Sequence, residues 1–343
     1  MQISIETPDE QLRTHLRAQL SRSAANDALG QLAALAEQAG LAQKTLQPTI
    51  RAPALLMFSG DHGAITAGAS ARPQKITWQN VERILSGQAP VNAACRQNAV
   101  ALAVIDAGIS HDFNVRPGLL NAKIAHGTAN YAREPAMWRS QLERALEHGR
   151  ALAFEHAAAG GNVLGLAAFG VGARTSAALL THCMTDIAID DLTALTPDCD
   201  AAALARRRAL LGRALARAGR IQDPFDALCE YGGFESAMLT GALLGAAEKR
   251  MLIVLDGFIA NAALLLAARA APAITAYTLL AARTVEHGHE RQVEALGMTP
   301  LLDFSLGGDG TAAALAMPLL RTAIDCLHIN AGATPAGHGE QNS

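Results

Sequence analysis

Five short apolar runs in this chain each end in a glycine-containing turn, and each turn leads into a segment of helical character. Ala54-Leu55-Leu56-Met57-Phe58 enters Ser59-Gly60-Asp61-His62-Gly63, and the run 101–105 enters Asp106-Ala107-Gly108. The run 163–168 enters Phe169-Gly170-Val171-Gly172, 251–255 enters Asp256-Gly257, and Leu301-Leu302 leads through Asp303 to Gly307-Gly308-Asp309-Gly310-Thr311. Continuous apolar strands are those buried on both faces, and helices between them supply the covering layers. The order therefore predicts an α/β fold, a doubly wound parallel sheet flanked by helices. Ligands of such sheets bind outside the carboxyl ends of the strands. Asp61, Asp106, Asp256 and Asp309 all fall there and are expected to face one crevice.

Helical spacing predicts two helices within 7–40, where Leu12, Leu16 and Leu20 recur on one face, and longer helices at 135–159, 200–218, 235–248 and 311–329. Half of the residues are hydrophobic but only 4% are aromatic, so Ala, Leu, Ile and Val must fill the core. The longest apolar stretch, 257–276, is interrupted by Asn261, Arg269 and Pro272 and reads as a buried helix, so no membrane contact is expected. A net charge of -3 with one basic cluster, Arg206-Arg207-Arg208, argues against nucleic acid and reads that cluster as a solvated helix face. Cys95, Cys183, Cys199, Cys229 and Cys326 lack metal-ligand spacing and read as reduced thiols. The charged N-terminus has no apolar signal-peptide core. A soluble, cytoplasmic protein is expected.

The 307–311 segment sets a carboxylate in a glycine turn before an Ala-rich helix, where backbone N–H groups and the helix dipole favour negative charge. Asp309 is there either as a helix cap or as a catalytic base. Gly170-Val171-Gly172-Ala173-Arg174-Thr175 lacks the third glycine of a dinucleotide fingerprint, yet its amides, hydroxyl and guanidinium suit a phosphate. His287 and His289 flank Gly288 and read as exposed histidines. No metal site and no cofactor are expected.

Taken together, several segments resemble the nicotinate-nucleotide:dimethylbenzimidazole phosphoribosyltransferase family. They are Phe58-Ser59-Gly60-Asp61-His62-Gly63, Ser70-Ala71-Arg72-Pro73-Gln74-Lys75-Ile76-Thr77, Val104-Ile105-Asp106-Ala107-Gly108, Gly127-Thr128-Ala129-Asn130 and Pro135-Ala136-Met137. Glu230-Tyr231-Gly232-Gly233-Phe234-Glu235, Leu255-Asp256-Gly257-Phe258-Ile259, Glu286-His287-Gly288-His289 and Gly308-Asp309-Gly310-Thr311 follow in order. The resemblance implies one phosphoribosyltransferase-like domain over 1–333, in which the N-terminal helices of 1–45 and the C-terminal helices form a small helical subdomain. Residues 334–343 would be a disordered tail. It also implies a homodimer that moves phosphoribose from nicotinate mononucleotide to dimethylbenzimidazole or another aromatic azole.

By the same resemblance Asp309 stands where the family has its general-base glutamate, one methylene shorter, or roughly 1.5 Å of reach. Ser70 and Gln79 match the base slot, Arg72 replaces an aromatic residue there, and Gly307 replaces a leucine. Gly170, Gly172, Arg174, Thr175, Arg206, Asp256, Gly257 and Thr284 are assigned to the nucleotide and its phosphate. Ala168 stands where the family is acidic, and Ile189-Asp190-Asp191-Leu192-Thr193 replaces a glycine loop. These departures keep two alternatives open: another acceptor base, or a non-catalytic paralog that binds a nucleotide or a partner.

Overall fold

The structure, a computed structural model, describes residues 3–21, 29–194 and 200–329. The tail read over 334–343, and Cys199, lie outside the described residues. Six strands form one parallel sheet: β1 (Ala54–Gly60), β2 (Ala101–Gly108), β3 (Leu119–Asn121), β4 (Val163–Phe169), β5 (Leu252–Asp256) and β6 (Thr278–Leu280). Their spatial order is β3-β2-β1-β4-β5-β6. From β1 the chain winds outward to β3, then returns to β4 and winds outward the other way. The order reverses between β1 and β4, and the crevice of a doubly wound sheet opens at that point.

The four central strands are the four longer of those five runs, and β1 is buried along its whole length. The fifth run departs from expectation. Leu302–Leu306 (β8) lies outside the main sheet and pairs in parallel with Ala282–Thr284 (β7), in register Ala282↔Leu302 and Thr284↔Leu306. Its centre, Asp303-Phe304-Ser305, is exposed, and a strand this polar cannot be buried between two helical layers.

Among the described residues the α-helices are α1 (Glu10–Ser21), α2 (Gln31–Gln43), α3 (Ile76–Leu85), α4 (Pro90–Gln97), α5 (Arg139–Ala158) and α6 (Ala173–Met184), followed by α7 (Ala201–Ala218), α8 (Pro224–Tyr231), α9 (Phe234–Glu248), α10 (Phe258–Ala270), α11 (His289–Leu296) and α12 (Thr311–Ile329). The two N-terminal helices pack on α12, and the Gln19 side chain donates to the Leu327 carbonyl. Leu16, Leu35 and Leu327 belong to the same hydrophobic core as the sheet. The stretch 257–276 holds α10, buried over most of its length, and no helix among the described residues is long and apolar enough to cross a membrane.

Small residues let helices approach closely, as the low aromatic content requires. A Cβ on Gly149 of α5 would lie 1.8 Å from the Met238 carbonyl oxygen of α9, and one on Gly241 would lie 2.1 Å from that of Leu146. Both obstacles are backbone, so Gly149→Ala should force the helices apart and cost about 2 kcal/mol or more. A lowered urea midpoint is expected, and an unchanged one would show that this crossing tolerates separation.

Candidate active site

A cavity of about 320 Å³ opens at the switch point. Met57 of β1 and Ala168, Phe169 and Gly170 from the end of β4 contribute to it. A second side is built by Ser70, Ala71 and Arg72 and then by one face of α3, where Ile76, Asn80, Arg83 and Ile84 follow helical spacing. Gly307, Gly308 and Asp309 form a third, with Phe258 and Ile259 from the start of α10. Gly172, Arg174 and Thr175 at the start of α6, with Arg207 of α7, complete it. Among the described residues, Arg72, Arg83, Arg174 and Arg207 bring guanidinium groups to the lining, against the carboxylates of Asp309 and Glu286. That balance suits a substrate carrying more than one negative charge.

A buried relay holds the 170–172 turn. Asp61, 1% exposed, accepts the Thr77 hydroxyl at 2.6 Å on one oxygen and the Ser110 N–H at 2.8 Å on the other. The Thr77 oxygen in turn accepts the Val171 N–H at 3.0 Å. Burial pushes the Asp61 carboxyl above its ordinary pKa, and these hydrogen bonds only partly offset that. Gly170 admits no side chain, since a Cβ would lie 2.0 Å from the Gly60 oxygen. Gly172 takes the left-handed φ of +96° that turns the chain into α6.

The crevice thus receives one of the four strand-end aspartates. Asp61, Asp106 and Asp256 are all buried and line no part of it. Asp106 accepts the Ile109 N–H at 2.9 Å and pairs with Lys123 at 3.1 Å. These carboxylates satisfy backbone amides that the tight turns leave open. Asp309 is half-buried and lines the cavity. Its Oδ1 accepts the Thr311 N–H at 3.2 Å, while the Ala312 N–H is taken at 3.1 Å by Asp256. Capping of α12 is therefore shared.

The structure brings together Ser70, Arg72, Gly170, Gly172, Arg174, Thr175, Gly307 and Asp309. The Thr175 hydroxyl is spent on the Ala69 carbonyl at 2.6 Å, so it holds the segment before Arg72. Gln79 is outside the lining, and its neighbour Asn80 presents the cavity-facing amide. Thr284 lines an adjacent cavity, and Gly257 packs under Gly308. Asp256 is fully buried and outside the lining, so it does not reach a phosphate in the cavity. Arg206 is exposed outside the lining, whereas Arg207 is half-buried with Nε shielded and unpartnered. The arginine run is therefore not a wholly solvated face: on a helix, adjacent residues point about 100° apart.

His289 also differs from expectation. It is 2% exposed, its Nε2 lies 3.1 Å from Asn261 Nδ2, and burial pushes its pKa down to about 4. Cys95, Cys183, Cys229 and Cys326 are free thiols. Glu286 was not singled out from sequence, although it opens the Glu286-His287-Gly288-His289 segment. Its nearly buried carboxylate pairs with Arg174 at 2.7 Å and borders both cavities.

With this geometry in place, a phosphoribosyltransferase family model matches residues 5–337. The nicotinate-nucleotide–dimethylbenzimidazole phosphoribosyltransferase of Aromatoleum aromaticum is 49% identical over 339 residues, covering 98% of each chain. Its namesake from Dechloromonas aromatica is 44% identical, covering 97% of each. A crystal structure of the Thermus thermophilus protein of that name superposes with a TM-score of 0.86 at 35% identity, covering 93% of this chain and 96% of the other. A parallel sheet with its cavity at the switch point, and this likeness over nearly the whole chain, lead to one conclusion: the chain belongs to the nicotinate-nucleotide–dimethylbenzimidazole phosphoribosyltransferase family.

Proposed function

We propose that this protein transfers phosphoribose from nicotinate mononucleotide to dimethylbenzimidazole or a related azole, with Asp309 as general base, in making the lower-ligand nucleotide of cobalamin. The observation that carries the reading is the Asp309 carboxylate on the wall of an arginine-lined cavity at the sheet's switch point. In the reaction the unprotonated azole nitrogen attacks the ribose C1′. The bond from C1′ to the pyridine nitrogen breaks, and its electron pair leaves with nicotinate. The azole's other nitrogen gives its proton to Asp309, which prevents a cationic product from building up. Arg207 and the amides at the start of α6 serve the phosphate, and Ser70, Arg72 and Asn80 border the base slot. The reading extends to a cytoplasmic homodimer, supported by the family resemblance and the free thiols.

The test is release of nicotinate from nicotinate mononucleotide by the purified chain with dimethylbenzimidazole, followed by chromatography. Transfer with dimethylbenzimidazole supports the reading, and tight nucleotide binding without release with any acceptor would instead favour a non-catalytic paralog. Arg207→Met should raise the KM for nicotinate mononucleotide by about 10- to 100-fold, the loss of one charge-assisted hydrogen bond. An unchanged KM would remove Arg207 from the phosphate site.

A second reading, a larger acceptor, is favoured by Gly307: a Cβ there would meet nothing within 4 Å. Gly307→Leu is then expected to fold normally and to shift preference from azoles bulkier than dimethylbenzimidazole toward dimethylbenzimidazole itself. An unaltered ratio of kcat/KM values would set that reading aside.

A further inference from the structure

Asp256 ends β5 with its side chain fully buried, outside the cavity. It nevertheless holds the turn that carries Asp309. Asp256 Oδ2 accepts the Ala312 N–H at 3.1 Å, and the Gly310 N–H is also directed at this carboxyl. The next residue, Gly257 at φ +107°, lies so close beneath the turn that a Cβ would be 2.8 Å from the Gly308 oxygen. Two consecutive residues of one strand end thus grip the turn on both sides of Asp309. Asp256 Oδ1 is buried with no hydrogen-bond partner, a costly arrangement for an ionised carboxylate and a lesser one for a neutral acid.

We infer that Asp256 is a positioning residue for Asp309: it sets the height of the 307–311 turn, and its own protonation decides whether a second negative charge stands behind the base. The inference rests on the reading of Asp309 as the proton acceptor. Burial first, then the like charge of Asp309 and more weakly that of Glu286, push Asp256 up to about 7, with the Ala312 and Gly310 amides opposing. Glu286 is itself tied to Arg174. Below that pH Asp256 is neutral, and above it an ionised Asp256 places a second negative charge behind the 307–311 turn.

Asp256→Asn keeps the shape and can still accept the Ala312 N–H, while removing the second charge. The kcat–pH profile of the wild type should show an inflection in the neutral range that this variant lacks, with KM for nicotinate mononucleotide held within about twofold. Loss of activity by one constant factor at every pH, or survival of the inflection, would overturn the proposal. Infrared pH-difference spectra of wild type and Asp309→Asn answer the same question should Asp256→Asn fail to fold. A protonated-carboxyl band lost near neutral pH in the wild type should be lost at lower pH in Asp309→Asn, and a band that is absent or unmoved counts against coupling. Normal turnover by Asp309→Asn would remove Asp309 as base, whatever the infrared band shows, so the two failures are distinct.

Discussion

Replacing Asp309 by asparagine is expected to lower kcat for phosphoribosyl transfer by about 10²- to 10⁴-fold, the usual range for loss of a positioned general base. Nucleotide affinity should change little. The asparagine oxygen can still accept the Thr311 N–H, and Asp256 still takes the Ala312 N–H, so α12 begins as before. This separates the two roles open to the residue. A helix cap is largely replaceable by asparagine, whereas a proton acceptor is not. Asp309→Glu retains the charge but moves it by about one C–C bond, roughly 1.5 Å. An intermediate rate is therefore expected from it, since displacement of a reacting group by that much costs on the order of a hundredfold. Nicotinate release at saturating substrates gives kcat, and calorimetric titration with nicotinate mononucleotide gives binding. Wild-type turnover by Asp309→Asn would reduce the residue to a cap.

Glu235→Ala should have the largest effect on stability, about 3–5 kcal/mol, because it strands a buried charge. His62 Nε2 lies 3.1 Å from Glu235 Oε1, and both side chains are fully buried. Gly60 and Gly233 make room for the carboxylate, since their Cβ atoms would lie 2.6 and 2.2 Å from its oxygens. Burial opposes charge on both partners, but their mutual attraction prevails: the His62 pKa is raised and that of Glu235 lowered. The raised histidine contributes stability below its unfolded value of about 6.5, lost as pH rises through the folded value. The lowered glutamate contributes above about 4.3, lost as pH falls through its own folded value. Both contributions are present together from about pH 4.3 to 6.5. The damage should reach the cavity, because a Cβ on Gly172 would lie 3.1 Å from that of His62. Urea unfolding across this pH range should show a gap between wild type and variant that narrows above it. A constant small gap would mean the pair is not ionised.

The four central strands were legible because each is a continuous apolar run closed by a glycine turn, a pattern local to a few residues. The short outer strands β3 and β6 were not, since three-residue strands carry no periodicity. β8 was misplaced for a related reason: a two-residue apolar run announces a strand but not its partner. The arginine run shows the same limit at a site. Composition identifies three adjacent cations, but the helix phase of α7 turns Arg207, and not Arg206, into the cavity.

The sequence by itself determined the parallel α/β class, the central strands and the presence of a carboxylate in a glycine turn before α12, because these depend on local patterning. Tertiary structure decided what each carboxylate does. Asp61, Asp106, Asp256 and Asp309 occupy equivalent places after apolar runs, yet the first three are withdrawn into the protein to satisfy backbone amides, and Asp309 reaches the cavity. That choice follows from which amides the neighbouring loops leave unpaired and which oxygens remain within reach of solvent. Those quantities exist only once residues distant in the chain, such as Asp256 and Ala312, are brought within hydrogen-bonding distance.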